Sequence, residues 1–165
     1  MDTAHYRLMA RYNRWMNHSI YTAAKGLSDG QRRAQMGAYF GSLHNTLGHL
    51  LKTDRAWMGR FVGHDDNAWQ AMDTENWEFN RLWSARKADD AKIVSWAESL
   101  NPNWLEQEFT FFSPTYQREF THPWWVLVAQ FFNHQTHHRG QAHALLTRMG
   151  VDPGVTDIPL LPDGY

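Results

Sequence analysis

Two histidines four residues apart, His134 and His138, sit in the apolar stripe of the longest helical pattern in the chain. With His134 at zero on a helical wheel advancing about 100° per residue, Leu127, Phe131, His138, Ala142, Leu145 and Met149 fall within an arc of roughly 80°. Side chains four apart project side by side, which is the spacing two imidazoles need to grip one metal ion. His137 lies at the edge of the stripe, on the other side of His134, and is the weaker candidate. The competing reading, a pair of core histidines satisfied by hydrogen bonds, stays open on spacing alone. A zincin is excluded, because Gln135 follows the first histidine where His-Glu-x-x-His needs a glutamate base. A carboxylate-bridged di-iron centre is excluded as well. It needs two Glu-x-x-His pairs plus two further glutamates, and the chain holds one such tetrapeptide, Glu119 to His122, followed directly by Pro123. What is left is a histidine-rich mononuclear site whose third ligand comes from another helix.

The elements that must carry these residues are helices. No proline occurs before Pro102 or between Pro123 and Pro153, so two long stretches lack the strongest helix breaker. Asp2 or Thr3 can cap a first helix in which Leu8, Tyr12, Trp15, Met16, Ile20 and Ala23 recur at three- and four-residue steps, ending at Gly26. Ser28-x-x-Gln31 is a capping-box start for a turn or short helix. Ser42 opens a second long helix, with Leu43, Leu47, Leu50, Trp57, Met58 and Phe61 in register and Gly63 as its stop; it offers His44 and His49. Between about Glu75 and Leu100, the charged stretch from Arg86 to Asp90 reads as a break, which places helix three in the second half. Residues 105–120, with Phe109, Phe111, Phe112, a Ser-Pro-Thr turn and Phe120, predict a short hairpin. Thr121, His122 and Pro123 suit the first turn of the last helix, which runs to Met149 before Gly150. Residues 151–165, with Pro153, Pro159 and Pro162, read as an irregular tail. The expected fold is all-α, an antiparallel four-helix bundle with a crossover connection and a short β-hairpin before the last helix, in one domain over residues 1–165.

Composition narrows the chemistry. Sixteen Lys and Arg against seventeen Asp and Glu leave no positive field to attract phosphates, so nucleic acid is not the expected partner. Arg7, Arg11 and Arg14 line one face of the first helix, and at this net charge they read as a solvated face. Cysteine is absent, which excludes disulfides, Cys-ligated zinc, iron–sulfur clusters and a cysteine nucleophile; thiol chemistry would have to import its thiol. The N-terminus is polar, and the longest strongly apolar run, Trp124 to Ala129, is far too short to span a bilayer, so a cytoplasmic protein without membrane contact is expected.

Three runs in order carry a resemblance: Arg11-Tyr-Asn-Arg-Trp-Met-Asn17, the stretch from Ser42-Leu-His-Asn-Thr-Leu-Gly-His49 to Arg60, and Phe132-Asn-His-Gln-Thr-His-His-Arg-Gly-Gln141 with Leu-Thr-Arg-Met-Gly150 beyond it. Over nearly the whole chain the sequence resembles the DinB/YfiT-like family of metalloenzymes. The most specific part is His-x-x-x-His-Arg-Gly-Gln combined with an upstream histidine on the second helix. The resemblance implies a four-helix bundle with a divalent metal ion, zinc or nickel, held by His49, His134 and His138. It also implies a small-molecule substrate, and relatives in the wider superfamily that are thiol-dependent transferases and isomerases suggest a low-molecular-weight thiol as cosubstrate; water activation and hydrolysis is the other enzymatic course. A metal-holding stress-response protein without turnover is the alternative.

Around such a site several neighbours carry expectations. His44 reads as a helix-surface or outer residue. Asp54, five residues after His49, reads as solvated, with a hydrogen bond to a ligand imidazole as the sharper alternative. Arg139 points away from the stripe and reads as solvated or interhelical, and Gly140 could admit a neighbouring helix or a substrate. Tyr12, Trp15, Trp57 and Trp83 read as core, any of them able to wall an aromatic pocket. Trp125 and Phe132 fall at roughly 160–180° on the wheel, opposite the histidines, and two exposed rings there would favour a two-fold homodimer. A homodimer is the expected assembly, with cover by the hairpin or by the tail with Leu160 and Leu161 as the alternative.

Overall fold

The computed structural model describes residues 2–64, 67–113 and 116–165. Four long helices dominate it: α1 (Ala4–Lys25), α3 (Leu43–Phe61), α4 (Phe79–Glu98) and α6 (Trp124–Arg148), with short helices α2 (Asp29–Arg33) and α5 (Pro102–Leu105) in the connections. A two-stranded antiparallel hairpin, β1 (Glu108–Ser113) with β2 (Arg118–Pro123), precedes α6 and pairs Phe109 with His122 and Phe111 with Phe120. The expected turn at Ser-Pro-Thr falls on positions 114 and 115, outside the described residues. Among the described residues no helix is long and apolar enough to cross a membrane.

Local chemistry sets the helix ends. Ser28 and Gln31 form a full capping box on α2, and the Ser42 hydroxyl accepts from the Asn45 N–H at the start of α3. α6 ends where Gly150 takes φ of 75° and the Val151 N–H reaches back to the Leu146 carbonyl. Its start differs from expectation. Thr121, His122 and Pro123 belong to β2, and α6 begins at Trp124, whose N–H donates to the Gln107 carbonyl at 2.9 Å. The hairpin is thus tied directly to the helix start, and Phe109 stacks on Trp124 at 4.1 Å between centroids.

α1 packs along α4 and α6, and α3 packs along the same two, so α1 lies diagonal to α3 and α4 diagonal to α6. The core is divided lengthwise. Tyr6, Ala10, Phe61, Ile93, Ala97, Leu127 and Phe131 form one end, and Ile20, Ala24, Leu43, Leu47, Leu82, Ala142 and Leu146 form the other. Residue order across these ends shows that α1 runs antiparallel to α4, and α3 antiparallel to α6. The histidine-bearing helices α3 and α6 are therefore direct neighbours.

Between the two apolar ends lies a polar layer to which every long helix contributes. Arg86 of α4 is 2% exposed and bonds Asp54 of α3 at 2.5 Å and Asp90 at 3.1 Å. Asn17 of α1 donates to Asp90 at 2.8 Å, and Arg139 of α6 donates to Asn13 of α1. This overturns two expectations at once. The charged stretch Arg86 to Asp90 does not break a helix, because Arg86, Asp89 and Asp90 point inward to partners, so α4 starts at Phe79 rather than in the second half. Asp54 is not solvated and not bonded to an imidazole; its partner is the buried guanidinium. Arg139 is interhelical, as its position off the histidine stripe allowed.

Phe132 is buried against Tyr6 of α1, whose hydroxyl also donates to the Trp125 carbonyl at 3.3 Å. A wheel shows which residues share a face but not that α6 has a neighbour on each side. Only Trp125 of the pair keeps partial exposure, so the two-ring surface that argued for a symmetric dimer is not presented.

Candidate metal centre

α3 and α6 run side by side in opposite directions, and at one level of their shared seam α3 presents His49 while α6 presents His134 and, one turn on, His138. The ring centroids lie 5.2 Å apart for His49 and His134, 4.7 Å for His49 and His138, and 4.4 Å for His134 and His138. One nitrogen from each ring can be chosen so that all three lie within 4.8 Å of one another. The closest pair, Nε2 of His49 and Nε2 of His134, is 3.2 Å apart.

Burial, first, and then the mutual repulsion of the rings push the His49 imidazole down to about 3, with Lys52 adding to the effect. Burial and the neighbouring His138 and His137 push His134 down to about 4. His138 is lowered too, again mainly by burial. All three are neutral at neutral pH, with lone pairs to offer. An Nε2 to Nε2 separation of 3.2 Å suits an N–H···N hydrogen bond when one ring carries its proton there, and equally two ligands of one ion when neither does. Two nitrogens on one tetrahedral zinc ion, at 2.0–2.1 Å each, stand ~3.3 Å apart. The donor set therefore fits a divalent ion in both spacing and protonation, and it contains no carboxylate.

The surroundings of the triad were less legible. The ring of Phe40 stacks on His49 at 3.9 Å and an interplanar angle of 25°, and stands 5.3 Å from His138. Phe40 is set there by a tight turn in which Gly37 and Gly41 take φ of 69° and 79°, with the Gly41 N–H donating to the Ala38 carbonyl at 2.8 Å. Tyr39 and Phe40 thus supply the aromatic wall, not Tyr12, Trp15, Trp57 or Trp83. The paired glycines were the available signal, and they mark a turn without saying where it docks. Two cavities meet at this wall. One of about 290 Å³ holds all three histidines with His137 and Gln141; the other, of about 450 Å³, runs from His49 past Lys52 and Asn45 to Asp73 and Glu75.

Other sequence candidates fall elsewhere. His44 is fully buried, not on a surface, and its Nε2 lies 3.1 Å from the Thr74 carbonyl. That contact, with the close approach of Thr74 to Gly48, pins the 3₁₀ turn Thr74–Asn76 onto α3 and so builds the far wall of the larger cavity. Gly140 makes no close approach, since a Cβ there would meet nothing within 4 Å. His137 is exposed and outside the converging set, its Nε2 lying 3.1 Å from Nε2 of Gln141.

No curated protein matches the chain. Among solved structures, the chain is similar to YfiT from Bacillus subtilis, described as a probable metal-dependent hydrolase with an unusual four-helix bundle topology. The TM-score is 0.60 at 13% identity, over 86% of each chain, a likeness that shows the fold. The family model of the DinB family matches residues 1–164, and the chain belongs to the DinB family.

Proposed function

We propose that His49, His134 and His138 hold one divalent metal ion, zinc or nickel, and that the protein is a metal-dependent enzyme acting through a water or thiol nucleophile. The observation that carries this reading is the convergence of three neutral imidazoles from two helices on one point beside an open cavity. When bound, the ion supplies Lewis acidity that makes a water or thiol acidic enough to attack near neutral pH. The residues do the rest. Three uncharged ligands leave the ion its full charge, and no protein carboxylate belongs to the set to weaken it. Phe40 and Tyr39 shield one side from water and offer an apolar face to a small-molecule substrate. Lys52, one turn beyond His49 with its ammonium donating to the Met72 carbonyl at 3.2 Å, places one positive charge in the adjoining cavity, which the carboxylates of Asp73 and Glu75 also line. The lack of cysteine fits a thiol brought in as cosubstrate and fits water activation equally well; the description of YfiT supports hydrolysis.

Metal analysis of the purified protein and of a His49→Ala variant tests the site, with one ion per chain expected in the first and none in the second. A thiol-conjugation screen with a general electrophile, run beside an ester and amide hydrolysis screen, then tests the chemistry. Stoichiometric metal without turnover in either would favour the non-catalytic metal-holding reading.

A further inference from the structure

Gln141 belongs to the run that ends the histidine motif, yet neither the fold nor the proposed chemistry uses it. Its Oε1 lies 2.8 Å from Nδ1 of His138, and its Nε2 lies 3.1 Å from Nε2 of His137. The spacing is helical: Gln141 is three residues after His138 and four after His137, so both rings project over its side chain. An amide has one end that only accepts and one that only donates. With Oε1 on the His138 side, the imidazole must carry its proton on Nδ1 and donate it to Gln141, which leaves Nε2 unprotonated. Were the amide turned over, its NH₂ would face Nδ1, the proton of His138 would move to Nε2, and that nitrogen could no longer offer a lone pair to the cluster. His137 is compatible with the orientation that has Oε1 toward His138, its Nε2 accepting from the Gln141 NH₂ when its own proton is on Nδ1.

We infer that Gln141 is the positioning residue of the triad: through its contact with Nδ1 it fixes the tautomer and ring orientation of His138 and so determines whether the third nitrogen is available. The inference rests on the proposed metal site for its consequence but not for its test. His138 needs this support more than its partners do. His49 is held by the stacked ring of Phe40 and shares a 3.2 Å contact with His134, whereas the hydrogen bond to Gln141 is the contact that decides the protonation of His138. Hydrogen bonds of this kind to metal-ligating histidines commonly change metal affinity 10–100-fold when removed.

Two measurements test it. Long-range ¹H–¹⁵N correlation spectra of the metal-free protein at about pH 7.5 report directly which nitrogen of His138 bears the proton. The Nδ1–H form is expected in the wild type, and a shift toward the Nε2–H form in Gln141→Met, which keeps length and volume but cannot accept a hydrogen bond. An Nε2–H form in the wild type overturns the inference whether or not the protein binds metal. Titration of metal-free protein with zinc is the second readout. Gln141→Met is expected to bind about 10–100-fold more weakly, and Gln141→Glu, which keeps the acceptor, is expected to restore affinity to within a few-fold of wild type. Equal zinc affinity in the wild type and Gln141→Met overturns it, as does a loss that Gln141→Glu fails to rescue. Absence of zinc binding in the wild type would refute the metal site itself, and the spectra would still decide the role of Gln141.

Discussion

Replacing Arg86 with Leu removes the guanidinium that contacts both Asp54 and Asp90. In the native protein burial pulls the Arg86 pKa down, but the carboxylates of Asp90 and Asp54 more than offset this and hold it above its ordinary value. Burial holds Asp90 up at about 6 even with Arg86 beside it. In Arg86→Leu both carboxyls stay in the polar layer, Asp90 keeping its 2.8 Å bond from Asn17, but neither has a cation in contact. Breaking a buried ion pair from one side costs about 3–5 kcal/mol, because the remaining charge is uncompensated. In a chain of this length that lowers Tm by about 6–20 °C. The loss must also depend on pH. Loss of the guanidinium lifts the folded-state pKa of both aspartates further above the unfolded value of about 3.9, so the folded variant takes up protons before the unfolded chain does. Its stability therefore rises, relative to wild type, as pH falls toward that value, by about 1.4 kcal/mol for each unit of extra shift. Urea unfolding followed by tryptophan fluorescence at about pH 8 and about pH 5 measures both quantities. A deficit below about 1 kcal/mol, or one equal at the two pH values, refutes the reading of this layer as a coupled charge network. Adding Asp54→Asn and Asp90→Asn to Arg86→Leu removes the two titrating groups, so the deficit should no longer shrink as pH falls.

Further outcomes follow from the site and its helices. Zinc at about a hundred times its Kd should stabilise the wild type by ~2.7 kcal/mol, raising Tm by about 5–10 °C, and leave His138→Ala unmoved; an equal rise in that variant would show that His138 is not a ligand. His137→Ala should still bind one ion per chain in elemental analysis, and loss of the ion would move His137 into the ligand set. In the metal-free protein, His49 and His134 sit at about 3 and about 4 against about 6.5 unfolded, so as pH falls below about 6.5 the unfolded chain protonates first. Their contribution is full above that pH and lost on the way down to about 3–4; urea midpoints at about pH 7 and pH 5 should show the loss, and a His49→Phe variant that retains the whole slope would contradict it. Gly140→Ala should stabilise by up to ~1 kcal/mol through helix propensity, since its Cβ has open space. Gly48→Ala should destabilise by about 1–3 kcal/mol, because a Cβ there lies 2.6 Å from the Thr74 hydroxyl; thermal melts in the opposite order would refute the packing of that turn.

The elements that could be read from the sequence were those governed by neighbours a few residues away. The caps at Ser28 and Ser42, the stop at Gly150 and the side-by-side projection of His134 and His138 all follow from helical spacing. What failed was non-local. Arg86 to Asp90 looked like a solvated break because their compensating partners, Asp54, Asn17 and Arg55, belong to other helices. Phe132 looked exposed because the wheel cannot show Tyr6 of α1 lying over it. Phe40 gave no periodic signal at all, and its place on His49 is a property of how one turn docks. Gln141 was in plain view three residues from His138, and its role became visible only with the rings in place.

The diagonal arrangement of the bundle has a consequence for how the protein is born. The contact between His49 and His134 spans 85 residues, with all of α4, α5 and the hairpin synthesised in between. At 5–20 residues per second, His49 leaves the ribosome roughly 4–18 s before its partners on α6 exist. A lone imidazole on a half-made chain has no chelating power, so the triad cannot act as a chelator during synthesis of α4, α5 and the hairpin. The three rings can therefore converge only after α6 has been made and has docked against α3.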